Sequence, residues 1–369
     1  MKRLIALALL AAACSFGAFS YRRKITVASG TVNSTLSNFT RPIHVTFNAA
    51  HVASANGYDI GFYTNSDCTG RLDWATISYN SSTGEYWGYL KQTVTSSGNT
   101  DAYACYGDAG ITTQQNTDAD AVDSSTKFYM PLDDPDSEKL NLRELKGKAN
   151  IEKKYWSTWE YYPVTAAGKL NKSLLFDGTW YGHVYIPSAG IGTTVTVSQW
   201  IKTTDTEAMI VAWGDDHNRN GFAMYMNGSG RIDWRGAGYS WKSCSTSVND
   251  GTWHHLAATQ TGATLHFYID GSECSLTGSA ISDITDTTGP MTLGAIRGDS
   301  DLSHVYYRLS GNIDEFWAST VVRSADWVAA VYASQNDPDT FQSVGSEEEV
   351  TGGGGGGGGG STRVVVGVI

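Results

Sequence analysis

Apolar residues along this chain recur mainly at every second position, the spacing of a half-buried strand, and seldom at i, i+3, i+4 and i+7. The stretch from Val248 to Gly271, VNDGTWHHLAATQTGATLHFYIDG, carries the pattern most clearly. Large and small residues alternate from Trp253 to Thr259, and Thr264 to Ile269 is β-branched and aromatic. The polar run Gln260-Thr261-Gly262-Ala263 between them predicts a hairpin. The second strand ends at Asp270-Gly271, a dipeptide suited to a type I′ turn because both central residues there need positive φ.

The first third reads the same way. YRRKITV predicts a strand with Ile25 and Val27 on one face, and Pro42 to Phe47 predicts another. Tyr58–Tyr63 and Asp73–Tyr79 follow, joined by a polar turn from Asn65 to Gly70, and then GEYWGYLKQTVT and DAYACYGDAG. The acidic run TDADAVDSS predicts a short linker. Residues 135–160 hold a local mix of charges, read as a helical turn or a long, solvated surface loop. From Leu174 strands come quickly: LLFDG, HVYIP, VTVSQWIKT, AMIVAWGD, a hairpin around Asn227-Gly228-Ser229-Gly230, MTLGAIRG and LSGNIDEFWAST. One stretch predicts a helix, RSADWVAAVYASQND, with Trp327, Val328, Val331 and Tyr332 along one face and a stop at Asp337-Pro338.

Composition supports an all-β protein: aromatic residues make up 12% of the 369 and charged residues only 17%, with 41 glycines. The length suits two domains, placed at residues 21–116 and 127–345, with the linker at 117–126 and a Gly-rich tail at 346–369. The tail holds Gly352 to Gly360 and ends STRVVVGVI. Polyglycine cannot form a core, and no Gly-Lys-Ser/Thr follows to make a phosphate loop. Its strand-prone end suits addition to another sheet edge, or is simply where the chain ends.

Residues 1–20 read as a signal peptide. Met1-Lys2-Arg3 precedes the ten-residue apolar run Leu4 to Ala13, too short to span a bilayer, and Ala18-Phe19-Ser20 offers cleavage before Tyr21. Cys14 is an alternative, lipoprotein-type site. The protein is therefore expected to be secreted or at a cell surface, with a phage virion as the alternative setting, and no transmembrane segment is expected. Removing residues 1–20 moves the net charge from −11 to −13, which repels nucleic acid. The remaining cysteines divide two and two, Cys68 and Cys105, then Cys244 and Cys274, pointing to one disulfide per domain.

Two resemblances emerge. YRRKITV, GYDIGFY, LDWATISYNSSTGEYWGYL and AYACYGD resemble a small β-sandwich domain of unknown function that stands before LamG-like modules in exported bacterial and phage proteins. Its usual closing Tyr-Tyr-Gly-Asn is Cys105-Tyr106-Gly107-Asp108 here. LLFDGTWYGHVYIP, VTVSQWIKTT, GFAMYMNGSGRI, VNDGTWHHLAAT, LHFYIDG, MTLGAI and GNIDEFWASTVVRSADWVAAVY resemble a LamG-like module, in that family's order. The second resemblance implies a concanavalin A-like jelly-roll sandwich of some twelve to fourteen antiparallel strands.

Catalytic strings are missing. The Glu-x-Asp-x-x-Glu strand of jelly-roll glycoside hydrolases, which sets two carboxylates in one cleft, does not occur, nor does His-Glu-x-x-His or Gly-x-Ser-x-Gly. A non-catalytic binding protein for a glycan or a surface partner is expected. The alternatives are a purely structural or decoration role and, behind it, a glycoside hydrolase. His254 and His255 point to opposite faces of a strand and cannot chelate one ion, so packing is their expected role. The LamG-like resemblance implies one structural Ca²⁺ where the first and last strands lie side by side, with Asp133, Asp134, Asp314 and Asp177 as its expected ligands. Against this, Asp177 and Asp314 suit turns held by backbone N–H groups. Sugar contact is expected from Trp213, Asp215, Asn218, Trp234, Arg235, Tyr239 and Trp241, a polar and aromatic set taken to lie on loops.

Overall fold

A computed structural model describes residues 19–133, 142–146, 152–154, 163–178, 182–187, 190–214, 220–285, 289–297 and 305–350. Residues 1–18, where a signal peptide is expected, Asp134 and the residues from 351 lie outside them. The described chain is nearly all antiparallel strand, arranged in four principal sheets that stack as two sandwiches.

The smaller sandwich opens the chain. Its first sheet runs in the order Ser343–Glu349, Tyr21–Val27, Thr100–Tyr106, Gly61–Tyr63. The second runs Leu36–Thr46, Glu85–Val94, Asp73–Tyr79. Ile25, Phe62 and Tyr106 from one sheet meet Ile43, Trp74, Tyr86 and Leu90 from the other in a buried core. Cys68 and Cys105 are disulfide-bonded, tying the polar turn after Gly61–Tyr63 to the neighbouring strand.

The larger sandwich is a jelly roll. Its third sheet runs Ser272–Glu273, Thr264–Ile269, Trp253–Thr261, Thr194–Thr203, Ser310–Ser319, Lys172–Asp177, Val164–Ala167. Thr126–Met130 pairs with the far end of Ser310–Ser319, so the first and last strands of this sandwich do lie side by side. The fourth sheet runs Leu276–Gly278, Lys242–Ser247, Arg231–Arg235, Ala223–Met226, Ala208–Trp213, Met291–Leu293, His183–Ile186, Glu152–Lys154. Val195, Val197 and Ile201 of one sheet face Phe222, Met224, Ile232 and Trp234 of the other, the inward half of each alternating pattern. The Cys244–Cys274 disulfide joins the edges of these two sheets, a bridge of a kind that contributes roughly 2–4 kcal/mol. The hairpin forms as expected, with Asp270 at φ 51° and Gly271 at φ 75°, the two positive angles of a type I′ turn.

The helix Ala325–Asn336 starts where Ser324 caps it, its side chain accepting the Trp327 N–H, and ends at Asp337 before Pro338. A second, short helix, Pro338–Phe341, follows at once. The long helix lies between the outer face of the third sheet and the outer face of the second. Trp327 packs at 4.5 Å on Trp317 of the jelly roll and at 6.2 Å on Phe39 of the smaller sandwich. Tyr89, Ala75, Ala257 and Tyr268 join the same buried cluster. The layer order is therefore first sheet, second sheet, helix, third sheet, fourth sheet.

Three expectations need correction. Residues 117–126 are not a free linker. They contain the 3-10 turn Asp118–Ala121, Ala121 and Val122 are buried in the inter-sandwich cluster, and Asp123 pairs with Arg323. The tail does not begin at Ser346, because the strand Ser343–Glu349 continues to Glu349 beside Tyr21–Val27, where Glu348 meets Arg22 at 2.9 Å. Within residues 135–160, the described Arg143 pairs with Asp118 and Leu145 is buried against the smaller sandwich, so that part is no solvated loop.

Candidate ligand-binding face

The helix and the smaller sandwich lie over the third sheet, whereas the outer face of the fourth sheet carries a second, smaller buried cluster beside a recess. The side chains of that face follow from strand parity. Along Ala223–Met226 and Arg231–Arg235, Met224, Met226, Ile232 and Trp234 point into the core, which leaves Ala223, Tyr225, Asp233 and Arg235 outward. In Ala208–Trp213 a bulge between Met209 and Val211 shifts the register, so that Met209 and Ala212 share the outer face although they are three residues apart.

Met209, Tyr225, Asp233 and Arg235 line a cavity of about 220 Å³ together with Trp241, Ile296 and Tyr307. Three rings meet at Tyr225. Tyr307 stands edge-on to it at 5.1 Å, and Trp241 tilts against it at 5.6 Å. The Arg235 guanidinium, almost fully buried, lies 5.4 Å from the Trp241 ring centre, a cation–π arrangement. Asn227 Nδ2 donates to Asp233 Oδ1 at 2.7 Å and so fixes that carboxylate. Burial, followed by the charges of Glu207, Tyr307 and Asp233, pushes the Tyr225 phenol up to about 12, so it remains a neutral hydroxyl at physiological pH. The result is a recess with aromatic walls and a few fixed polar groups, the chemistry that sugars require.

Of the residues singled out from sequence, Arg235 and Trp241 come together here. Tyr239 is exposed two residues before Trp241 and does not line the cavity. Trp213 and Trp234 are core residues instead of surface ones. Trp213 is buried and donates from Nε1 to the Gly289 carbonyl, while Trp234 stacks on Phe222 at 4.8 Å and donates to Gln260. Both lie on the inward half of their strands' alternation. Asp215 and Asn218 lie outside the described residues. Met209, Tyr225, Asp233, Ile296 and Tyr307 are additions, and parity in FAMYM and RIDWR already separates Tyr225 and Asp233 from their inward neighbours.

The expected cation ligands divide. Asp133 and Asp314 adjoin near the pairing of the first and last jelly-roll strands, whereas Asp177 sits at the opposite end of its strand beside Ser310, and Asp134 is not described. Asp314 accepts N–H groups from Lys169, Leu170 and Glu315, and Asp133 accepts one from Lys172. Neighbouring Glu315 accepts from the Tyr89 and Tyr129 hydroxyls and from Gln335. Burial raises all three acids, Asp133 to about 7 and Glu315 to about 8, and repulsion from the neighbouring carboxylates adds to it at Asp314 and Glu315. Through these N–H groups Asp133 and Asp314 clasp the 169–172 loop. Among the described residues no three His, Cys, Asp or Glu are grouped to hold a metal. His254 and His255 separate as expected. His255 is buried against Ser198 and Trp200 and is lowered to about 4 by burial, while His254 bridges Asp270 and Asp250 and is raised by those bonds.

The family model described as the concanavalin A-like lectin/glucanases superfamily matches residues 177–329. No curated protein matches the chain. Among solved structures, the chain is similar to domain 4 of AbnA, a GH43 extracellular arabinanase from Geobacillus stearothermophilus, in complex with arabinotriose. The identity is 16%, over 56% of this chain and 98% of that one, with a TM-score of 0.43. It is also similar to the native heptameric SAP-like pentraxin of Limulus polyphemus, at 18% identity over 43% and 81% with a TM-score of 0.35. The CBM40 of the Ruminococcus gnavus IT-sialidase bound to α2,3-sialyllactose matches at 17% identity over 38% and 83%, with a TM-score of 0.33. Among the described residues no helix is long and apolar enough to cross a membrane.

Proposed function

With residues 177–329 forming a domain of the concanavalin A-like lectin/glucanases superfamily, we propose that this protein is an exported, non-catalytic glycan-binding protein. Its ligand seat is the recess bordered by Tyr225, Asp233, Arg235, Trp241 and Tyr307. One observation carries the reading: the outer face of the fourth sheet bears a cavity of about 220 Å³ lined by aromatic rings and fixed polar groups. Two disulfides suit an oxidising compartment. Among the described residues Asp233 is the single carboxylate lining the recess, whereas glycosidic hydrolysis needs a pair, so this lining suits holding a sugar.

A structural role is the second reading. It draws on the buried cluster that welds the two sandwiches around the helix, as a rigid spacer in a surface or virion assembly would need. Glycan-array binding by the full chain separates the two. Specific binding that Trp241→Ala abolishes supports the first reading, and silence across polysaccharides supports the second. Repeating the array in EDTA and then in excess calcium tests whether a cation takes part.

A further inference from the structure

The same seat narrows the ligand, an inference that rests on the glycan-binding reading. At about 220 Å³ the recess lies below the roughly 300–1,000 Å³ of pockets that enclose drug-sized ligands, so it has room for about one sugar ring and little more. Three rings border it, Trp241 and Tyr307 each packed against Tyr225, where a platform for a run of sugars would instead space its aromatics along the sheet. Among the described residues, the ionic groups that line it are one carboxylate and one guanidinium, Asp233 and Arg235, two residues apart on one strand face, so that this lining carries one charge of each sign. Asp233, oriented by Asn227, accepts hydrogen bonds and donates none, which suits the hydroxyls of a vicinal diol. The Tyr225 hydroxyl beside it both donates and accepts.

We propose that the recess binds the single terminal unit of a neutral glycan, gripped through adjacent hydroxyls by Asp233 and stacked against Trp241. Isothermal titration of the full chain tests this. The probes are methyl glycosides of glucose, galactose, mannose, arabinose and glucuronic acid, together with tetrasaccharides of the neutral sugars. The expected result is saturable binding of at least one neutral methyl glycoside, with its tetrasaccharide within about threefold of the same affinity. The uronic acid should bind more weakly. Asp233→Asn should lower affinity by about 10- to 100-fold, the loss expected when a charged acceptor is removed. Tyr307→Ala, at an exposed position that folding tolerates, should lower it severalfold. Affinity that climbs with each added unit while single sugars stay silent would overturn the terminal-unit proposal and leave glycan binding standing. A preference for the uronic acid, or an Asp233→Asn variant as tight as the parent, would overturn it too. Silence in every arm would overturn the glycan reading itself.

Discussion

The two outer faces of the jelly roll are built from the same alternating pattern and have opposite fates. The third sheet turns Ala257, Tyr268, Trp317, Trp200 and His255 outward, and the chain covers them with its own helix and with the second sheet of the smaller sandwich. Polar groups on that side find partners inside the cover. Trp200 Nε1 donates to Gln335, and Glu315 gathers two tyrosine hydroxyls, one from each sandwich. The fourth sheet turns out Met209, Tyr225, Asp233 and Arg235, with Ile296, Trp241 and Tyr307 packed beside them, and between these side chains a recess of about 220 Å³ remains. The sealed face has its polar groups paired within its own chain, whereas the recess keeps Tyr307 exposed and Tyr225, Asp233 and Trp241 half-buried.

The largest effect in this contrast is expected at the sealed face. Trp327→Ala removes the ring that bridges the two sandwiches, and a loss of about 3–5 kcal/mol is expected in urea titration, while sugar affinity of the folded variant stays unchanged. Next comes pH. Burial holds the Glu315 carboxyl up at about 8 against an ordinary 4.5. Between those values the folded protein keeps a proton that the unfolded chain releases, so stability falls as pH rises, by up to about 1.4 kcal/mol per pH unit. Glu315→Gln should flatten that slope in denaturation curves taken from pH 4.5 to 8, and an unchanged slope would mean that this carboxylate does not titrate in the window. On the open face Trp241→Ala should do the reverse of Trp327→Ala, costing more than tenfold in affinity and about 1 kcal/mol or less in stability. The smallest effect belongs to the rim pair Arg22–Glu348, where Glu348→Ala should cost less than about 1 kcal/mol by thermal melting.

Much of the sealed architecture was legible in the sequence because its signals are local. Asp270-Gly271 specifies its own turn, Ser324 and Pro338 bracket the helix, and the cysteines pair within their own regions. What escaped is long-range or depends on parity. Ser343–Glu349 pairs with a strand more than three hundred residues earlier, and no local pattern announces such a partner. Ala121-Val122 looked like linker because acids surround it, although these two apolar residues anchor the segment in the inter-sandwich cluster. At the open face, choosing residues by chemical type drew in Trp213 and Trp234, which strand alternation turns inward. Tyr225 and Asp233, outward by the same alternation, went unnoticed among apolar neighbours.

The central claim is that the open face, and not the sealed one or the smaller sandwich, is where a sugar sits. A crystal structure of the full chain soaked with its tightest-binding glycan tests it most directly. The expected result is a sugar ring stacked on Trp241 with hydroxyls on Asp233. A sugar bound on the smaller sandwich or along the edge of the third sheet, with the recess empty, would contradict the account.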